Sequence, residues 1–344
     1  MKRIIKVVVC SAIIIVLAAV GFNMSSKSNP SNRSNQSIVR INFPVIGGEL
    51  PVNVNYQLDT SAALLEKSTD YVFPFVNTTA DSKIVTKLKS IFRIENAQSK
   101  PIREGTVYEN DDHFLRINDD GTFVYHNKHR NDNANIDISD DACIKIAKNF
   151  LTKNNLMPPG FFENGVAYET VTSALNPKDS KILRKEVYFN RKINNVVVYG
   201  VSRIIVSIGQ NGQIDSVYWA TKDIAQGEPV KIKPFDTALE DLKQLKGMVR
   251  MDETTKKVII KKVELAYWED SSPFNKQTHV QPVYHFLGET LNENGSKGTF
   301  EGFITAVPDD LTVPVQEPDI KSTPKVPKTE SNIKPPREKP EYLR

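Results

Sequence analysis

Hydrophobic positions fall along this chain in three distinct patterns. The first is an unbroken run: residues 7–22 read VVVCSAIIIVLAAVGF, sixteen residues without a charge, directly after Lys2, Arg3 and Lys6. As a helix such a run extends about 24 Å, and about 27 Å when continued through Met24, close to the ~30 Å of bilayer hydrocarbon. Basic residues flank it on one side only, which leaves residues 1–6 in the cytoplasm, makes 7–24 a transmembrane anchor and puts the remainder outside. A cleaved signal peptide is the alternative, with Ala19-Val20-Gly21 as its small-residue site. Both readings export the rest of the chain; the length of the run favours the retained anchor.

The second pattern has helical spacing. Ile84, Val85, Leu88, Ile91 and Phe92 form one face of a helix from about Asp81 to Arg93. Ala142, Cys143, Ile146, Ala147, Phe150 and Leu151 form another, which starts after the N-cap Ser139 with Asp140 and Asp141 in its first turn and stops near Asn154-Asn155. Ile138 can staple onto Cys143, so this cysteine reads as a small core residue. Ala238, Leu239, Leu242 and Leu245 predict a third helix, capped by Asp236 and ended by Gly247.

The third pattern is alternation, and it follows each helix. TVYEN, HFLRIN and TFVYH come after the first, with Asp120-Gly121 at a turn. Residues 166–174, 185–199 and 201–220 come after the second, with turns at Asn194-Asn195 and Gln210-Asn211-Gly212. Residues 258–269, 281–289 and 298–307 come after the third, the last two joined by a loop containing Asn294-Gly295. The expected fold class is therefore α+β: an N-terminal transmembrane helix, then tandem small modules, each with a helix packed on an antiparallel β-sheet. The modules span residues 41–135, 136–226 and 227–308. Residues 25–40, SSKSNPSNRSNQSIVR, have the composition of a flexible stalk. Residues 309–344 read as a disordered Pro-rich tail, since seven of the 34 residues from Leu311 onward are proline and most others are polar or charged. Pro324-Lys325-Val326-Pro327 formally matches PxxP within it. Modules this small have modest cores and pack end to end, so the seams between them are the first place to look for a partner's footprint.

Composition narrows the functional classes. The 344 residues carry 45 Lys+Arg against 41 Asp+Glu, a net +4 spread along the chain, which argues against a nucleic-acid binder. The two cysteines, Cys10 in the apolar run and Cys143, exclude a disulfide framework and zinc-ligand spacing. Cys10 lies only four residues after Lys6, too early in the run for a lipoprotein site, and reads as lipid-facing.

Candidate chemistry is sparse. His126 and His129 are spaced like a metal pair but have no third ligand nearby in sequence, so no metal residues are assigned. His279 and His285 flank a strand start, and His285 reads as a strand-face residue. The acidic pairs Asp111-Asp112, Asp119-Asp120, Asp140-Asp141 and Glu269-Asp270 fall at predicted turns or helix starts, where carboxylates bond the local backbone. Calcium-loop, GxSxG, HExxH, P-loop and GxGxxG patterns are absent, so no catalytic or cofactor-binding residues are assigned. Tyr218, Trp219, Tyr267, Trp268, Tyr284 and Phe286 stand out as strand aromatics; they either fill the core or form a partner-binding surface.

The helix SDDACIKIAKNFL, the run VYFNRKINNVVVYGVSRIIVSIGQNGQIDSVYW, the helix FDTALEDLKQL and the pair ELAYWE with QPVYHF follow one another in an order that resembles tandem PepSY-type modules of extracytoplasmic regulators, notably the YycI and YycH proteins. The resemblance covers about half the chain and rests on pattern; the module at 41–135 and the Pro-rich tail depart from it. It implies a PepSY- or cystatin-like fold and no catalysis. It also implies a bacterial envelope protein that modulates a two-component sensor kinase or binds a peptidase, with no functional residues to carry over. The expected function is thus a membrane-tethered, extracytoplasmic, non-enzymatic binding or regulatory protein, partnered by the membrane and by another envelope protein, with no cofactor. An exported enzyme acting on cell-wall polymer or peptide is the alternative and requires a cleft of convergent polar groups with perturbed pKa values. A structural spacer is the third reading. The anchor carries its own test: intact mass of the protein isolated from membranes should equal the full chain from residue 1, and a mass lacking about the first 21 residues would establish cleavage instead.

Overall fold

A computed structural model describes residues 37–44, 51, 53–59, 67–76, 80–132, 135–172, 180–270 and 277–314. The apolar run, most of the stalk and the tail beyond 314 lie outside the described residues. Among those described, no helix is long and apolar enough to cross a membrane.

The chain is mostly β. In order, its elements are β1 (Asn55–Leu58), β2 (Thr69–Pro74), α1 (Ser82–Ile91), β3 (Gln98–Ile102), β4 (Gly105–Glu109), β5 (His113–Asn118), β6 (Phe123–Asn127) and α2 (Asp140–Lys153). There follow β7 (Phe161–Thr172), β8 (Ser180–Ile193), β9 (Val196–Ile208), β10 (Ile214–Ala220), β11 (Glu228–Lys231), α3 (Phe235–Lys243), β12 (Met248–Arg250), β13 (Thr255–Glu269), β14 (His279–Asn292) and β15 (Lys297–Thr305). The helices sit where their apolar spacing places them. Asp81 and Ser139 cap α1 and α2 by accepting from the backbone N–H groups of Ile84 and Ala142. Asp236 does not cap α3: Pro234 holds that position and Asp236 lies in the first turn. The turns at Asn194-Asn195 and Asn211-Gly212 form with positive φ at all four residues, which is why Asn and Gly stand there.

The expectation of separate helix-on-sheet modules is overturned by the pairing. All fifteen strands are hydrogen-bonded into one mixed sheet in the order β11-β2-β14-β13-β9-β10-β6-β5-β4-β3, with β7 joined to β9 through β8, β15 on β14, β12 on β15 and β1 on β13. Strands that the chain order assigns to the first module join the far end: β1 runs parallel to β13, and β2 pairs with β11 and β14. The physical reason is that alternation identifies a strand without identifying its neighbour, because ladder hydrogen bonds are made by backbone common to every residue.

Two larger cores lie at either end of this sheet. One gathers Leu88 and Phe92 from α1 and its C-cap, Cys143, Ala147 and Leu151 from α2, and Phe189, Ile204 and Val217 from the strands beneath. The other packs Ala238 and Leu242 of α3 against Val258, Ile260, Tyr284 and Phe286. Between them β9 and β13 meet in parallel over Tyr267↔Val198, Trp268↔Tyr199 and Glu269↔Gly200. Alternate side chains at this seam feed two smaller clusters: Ala266, Trp268, Ile41 and Phe303 on one face, and Tyr267, Val198, Phe73 and Val280 on the other.

Gly200 permits the seam. Its φ is +91°, and a Cβ there would lie 1.8 Å from the Glu269 carbonyl oxygen, a backbone atom that cannot turn aside. Gly200→Ala should therefore cost about 2–4 kcal/mol in denaturant unfolding. Gly121→Ala, also at positive φ but with nothing within 4 Å, should cost about 1 kcal/mol. Equal losses at the two positions would show that the close approach at Gly200 is not needed.

Candidate functional site

The six strand aromatics do not share one surface. Tyr284 and Phe286 are fully buried in the core beneath α3, where the Tyr284 hydroxyl donates to the Lys233 carbonyl at 2.6 Å. Tyr267 is buried on one face of the seam and donates to Asp70 Oδ1 at 2.9 Å. Trp219 stacks on Phe123 at 5.5 Å and donates its indole N–H to the Leu156 carbonyl, while Tyr218 on the same strand is half-buried. Of the six, Trp268 lines the cavity at the seam. It is packed edge-on by Phe43 at 5.0 Å and at a tilt by Phe303 at 5.1 Å, and its indole N–H has no hydrogen-bond partner among the described residues.

That cavity, of about 410 Å³, opens beside the seam where the sheet is interrupted. In β9 the register against β8 jumps from Val198 (opposite Arg191) to Arg203 (opposite Asn190), so residues 199–202 bulge away from β8. In β7, Asn164 and Gly165 form a second bulge opposite Tyr188. Bulges of this kind re-aim side chains and concentrate at functional sites. Here they bring Asn164, Tyr199, Ser202 and Arg203 to one hollow with Asn190, Trp268 and Glu269, and Arg250, Glu301 and Phe303 close its other side. The volume falls within the range of small-molecule sites.

Charge within the cavity is unevenly satisfied. Glu301 is bonded twice: Arg250 Nη1 donates to Oε2 at 3.1 Å, and His285 Nε2 lies 3.1 Å from Oε1. The same imidazole bonds Glu264 through Nδ1 at 3.2 Å and stacks flat on Phe303 at 4.3 Å. Burial pulls the His285 pKa down, but the two carboxylates outweigh it and the net shift is upward. Its bond holds Glu264 down, to about 2, and Glu301 is also lowered against the opposing effect of its burial. Glu269 behaves oppositely. It is 1% exposed, its Oε2 has no hydrogen-bond partner among the described residues, and burial raises its pKa despite the nearby Lys222 and Arg191 cations. Arg203 is half-buried with Nε unbonded, and no ion pair joins it to a described residue.

Sequence reasoning placed Glu269 among turn carboxylates and did not single out Arg203, Asn190 or Asn164. Their signal lies in pairings between distant strands and leaves no local motif. Burial lowers the His126 pKa, and His129 bonds Asp112 at 2.6 Å. Among the described residues no group of three His, Cys, Asp or Glu is placed to hold a metal.

No family model and no curated protein matches this chain. A solved structure similar to it is that of an uncharacterized protein from Eubacterium rectale, at 10% identity and a TM-score of 0.36, covering 74% of this chain and 88% of that one.

The His285 clasp has a definite pH signature. Its raised folded pKa contributes stability that is complete below the ordinary value of 6.5 and is lost as pH rises through the folded value. Glu264 contributes stability above its ordinary 4.5 that is lost as pH falls toward about 2. Thermal melts should thus show the parent losing its advantage over His285→Gln as pH rises above about 6.5. Parallel melting curves for the two across pH 6 to 9 would show that the clasp does not titrate.

Proposed function

We propose that this is a membrane-tethered, extracytoplasmic binding protein without a catalytic step, which takes a ligand in the seam cavity and passes its occupancy to the N-terminal apolar run. The observation that carries the reading is the course of residues 37–44, the end of the stalk and the segment directly after it. It lies over the seam beside the cavity, with Phe43 on Trp268 and Pro44 in the cavity lining. Its backbone is fastened by Gln281 Nε2 donating to the Val39 carbonyl at 2.5 Å and by the Asn42 N–H donating to Asp270 Oδ2 at 2.9 Å. A ligand that shifts Trp268 must shift this strap, and the strap leads toward the bilayer. Modulation of a sensor kinase or an envelope peptidase is the output that the PepSY-type resemblance implies.

A second reading, an exported hydrolase, is favoured by one observation: Glu269 and Glu301 line the same cavity with their protonation driven in opposite directions, as in acid–base pairs. Two measurements separate the readings. A photo-crosslinker within residues 7–22 of the full chain in cells should capture a kinase, a peptidase or another envelope protein, and capture of none would count against the regulatory role. The purified full chain incubated with peptidoglycan fragments and peptides should release no product by mass spectrometry. Turnover that Glu269→Gln abolishes would overturn the non-enzymatic reading.

A further inference from the structure

The proposed cavity can be assigned a ligand chemistry from its own charge balance, an inference that rests on the cavity being a binding site. Four formally charged residues line it: Arg203, Arg250, Glu269 and Glu301. Arg250 and Glu301 compensate one another, and Glu301 is held from its other side by His285. Glu269 is 1% exposed with no hydrogen-bond partner at Oε2 among the described residues, and the cations it faces are Lys222 and Arg191 rather than Arg203. That leaves Arg203 as the lining charge without a counter-ion among the described residues.

The surroundings of Arg203 are donor-rich. Across the β8–β9 ladder it stands directly opposite Asn190, and the adjacent pair Phe189 and Ile204 points into the core beneath α2. By alternation Arg203 and Asn190 share the other face, with side chains one cross-strand spacing apart. The Trp268 indole N–H has no partner among the described residues, and the β7 bulge adds Asn164. Buried N–H groups left unbonded are costly, so the occupant should be an acceptor with one negative charge. A cation is repelled by Arg203, a neutral polyol leaves its charge uncompensated, and a phosphate dianion brings a second negative charge near Glu301.

We propose that the seam cavity binds a small ligand through a single carboxylate, which sits on the Arg203 guanidinium with the Asn190 amide and the Trp268 indole N–H as further donors. The planar guanidinium fork matches a carboxylate edge to edge. The carboxylate can belong to a peptide C-terminus or to an acidic sugar, and the test has an arm for each.

The chain has only two tryptophans, so Trp219→Phe in the full chain makes Trp268 fluorescence a direct report on the cavity. N-acetyl-tri-alanine and D-glucuronate are titrated against their neutral counterparts, N-acetyl-tri-alanine amide and D-glucose. At least one carboxylate should shift the emission with a midpoint near or below about 1 mM, and its neutral counterpart should need at least about ten times more. Arg203→Gln should weaken the carboxylate by about ten-fold or more, and Arg203→Lys should recover part of the loss. Asn190→Asp, which sets a carboxylate against Arg203, should abolish the shift, and it serves should Arg203→Gln not fold. Equal response to charged and neutral probes, an unaltered midpoint in Arg203→Gln, or no response to either carboxylate at about 10 mM would each overturn the proposal. Binding of D-glucose alone would discard the carboxylate while keeping the cavity as a site. The crosslinking result bears on the regulatory role alone.

Discussion

The approach of two backbones at Gly200 is the constraint from which the rest of the architecture follows. Strand β9 leaves β8 for four residues, lies parallel to β13 and returns, and only a residue without a side chain permits the contact with the Glu269 carbonyl. The detour joins the helix-covered ends into one sheet. It also opens the hollow, because the residues that leave β8 no longer fill the space beside Asn190. Continuity of the sheet and a gap in its surface thus have one cause. The small clusters on the two faces of the seam, with Trp268 on one and Tyr267 on the other, hold the junction where ladder hydrogen bonds are few.

Two buried charge systems in this molecule show what a satisfied and an unsatisfied arrangement look like. Arg184 is 2% exposed and meets Glu169 at 2.8 Å, Asp215 at 3.1 Å and Asp132, while Gln213 donates to the far oxygen of Asp215. Every group there has a partner, which is what makes a buried ion tolerable, and the network ties the loop after β6 to β7, β8 and β10. At the seam Glu269, Trp268 and Arg203 each keep a polar atom without a hydrogen-bond partner among the described residues. A fold that satisfies the first so fully leaves the second open to an external partner.

Local patterns were read well from the sequence. The faces of α1 and α2, the Ser139 cap and the Asn-Gly turns all depend on residues within a few positions of one another, and all are present, although Ile84 of the α1 face is exposed. α3 shows the margin of such reasoning: Asp236 is a good N-cap residue, yet the helix begins earlier because Pro234 already suits the position before the first turn. What the sequence concealed is long-range. β1 and β2 precede α1, yet they pair with β13 and β14, more than 200 positions later. Glu269 follows a strand like many turn carboxylates, and its burial is created by β9, a strand far from it in sequence. The aromatics were legible as important and ambiguous as to role; five of them support cores or strand faces, and the cavity selected Trp268.

One small feature carries a broader implication. Val39 and Val313 form a parallel bridge, in which Arg40 N–H donates to the Val313 carbonyl and Val313 N–H to the Ile38 carbonyl, each at 2.9 Å. The first and last described segments of the chain therefore lie side by side. A folded body so arranged can be grafted into a surface loop of another protein, or cut open elsewhere and rejoined across its ends, without disturbing its interior. It is a cassette whose covalent context can change while the seam, its cavity and its cores keep their geometry.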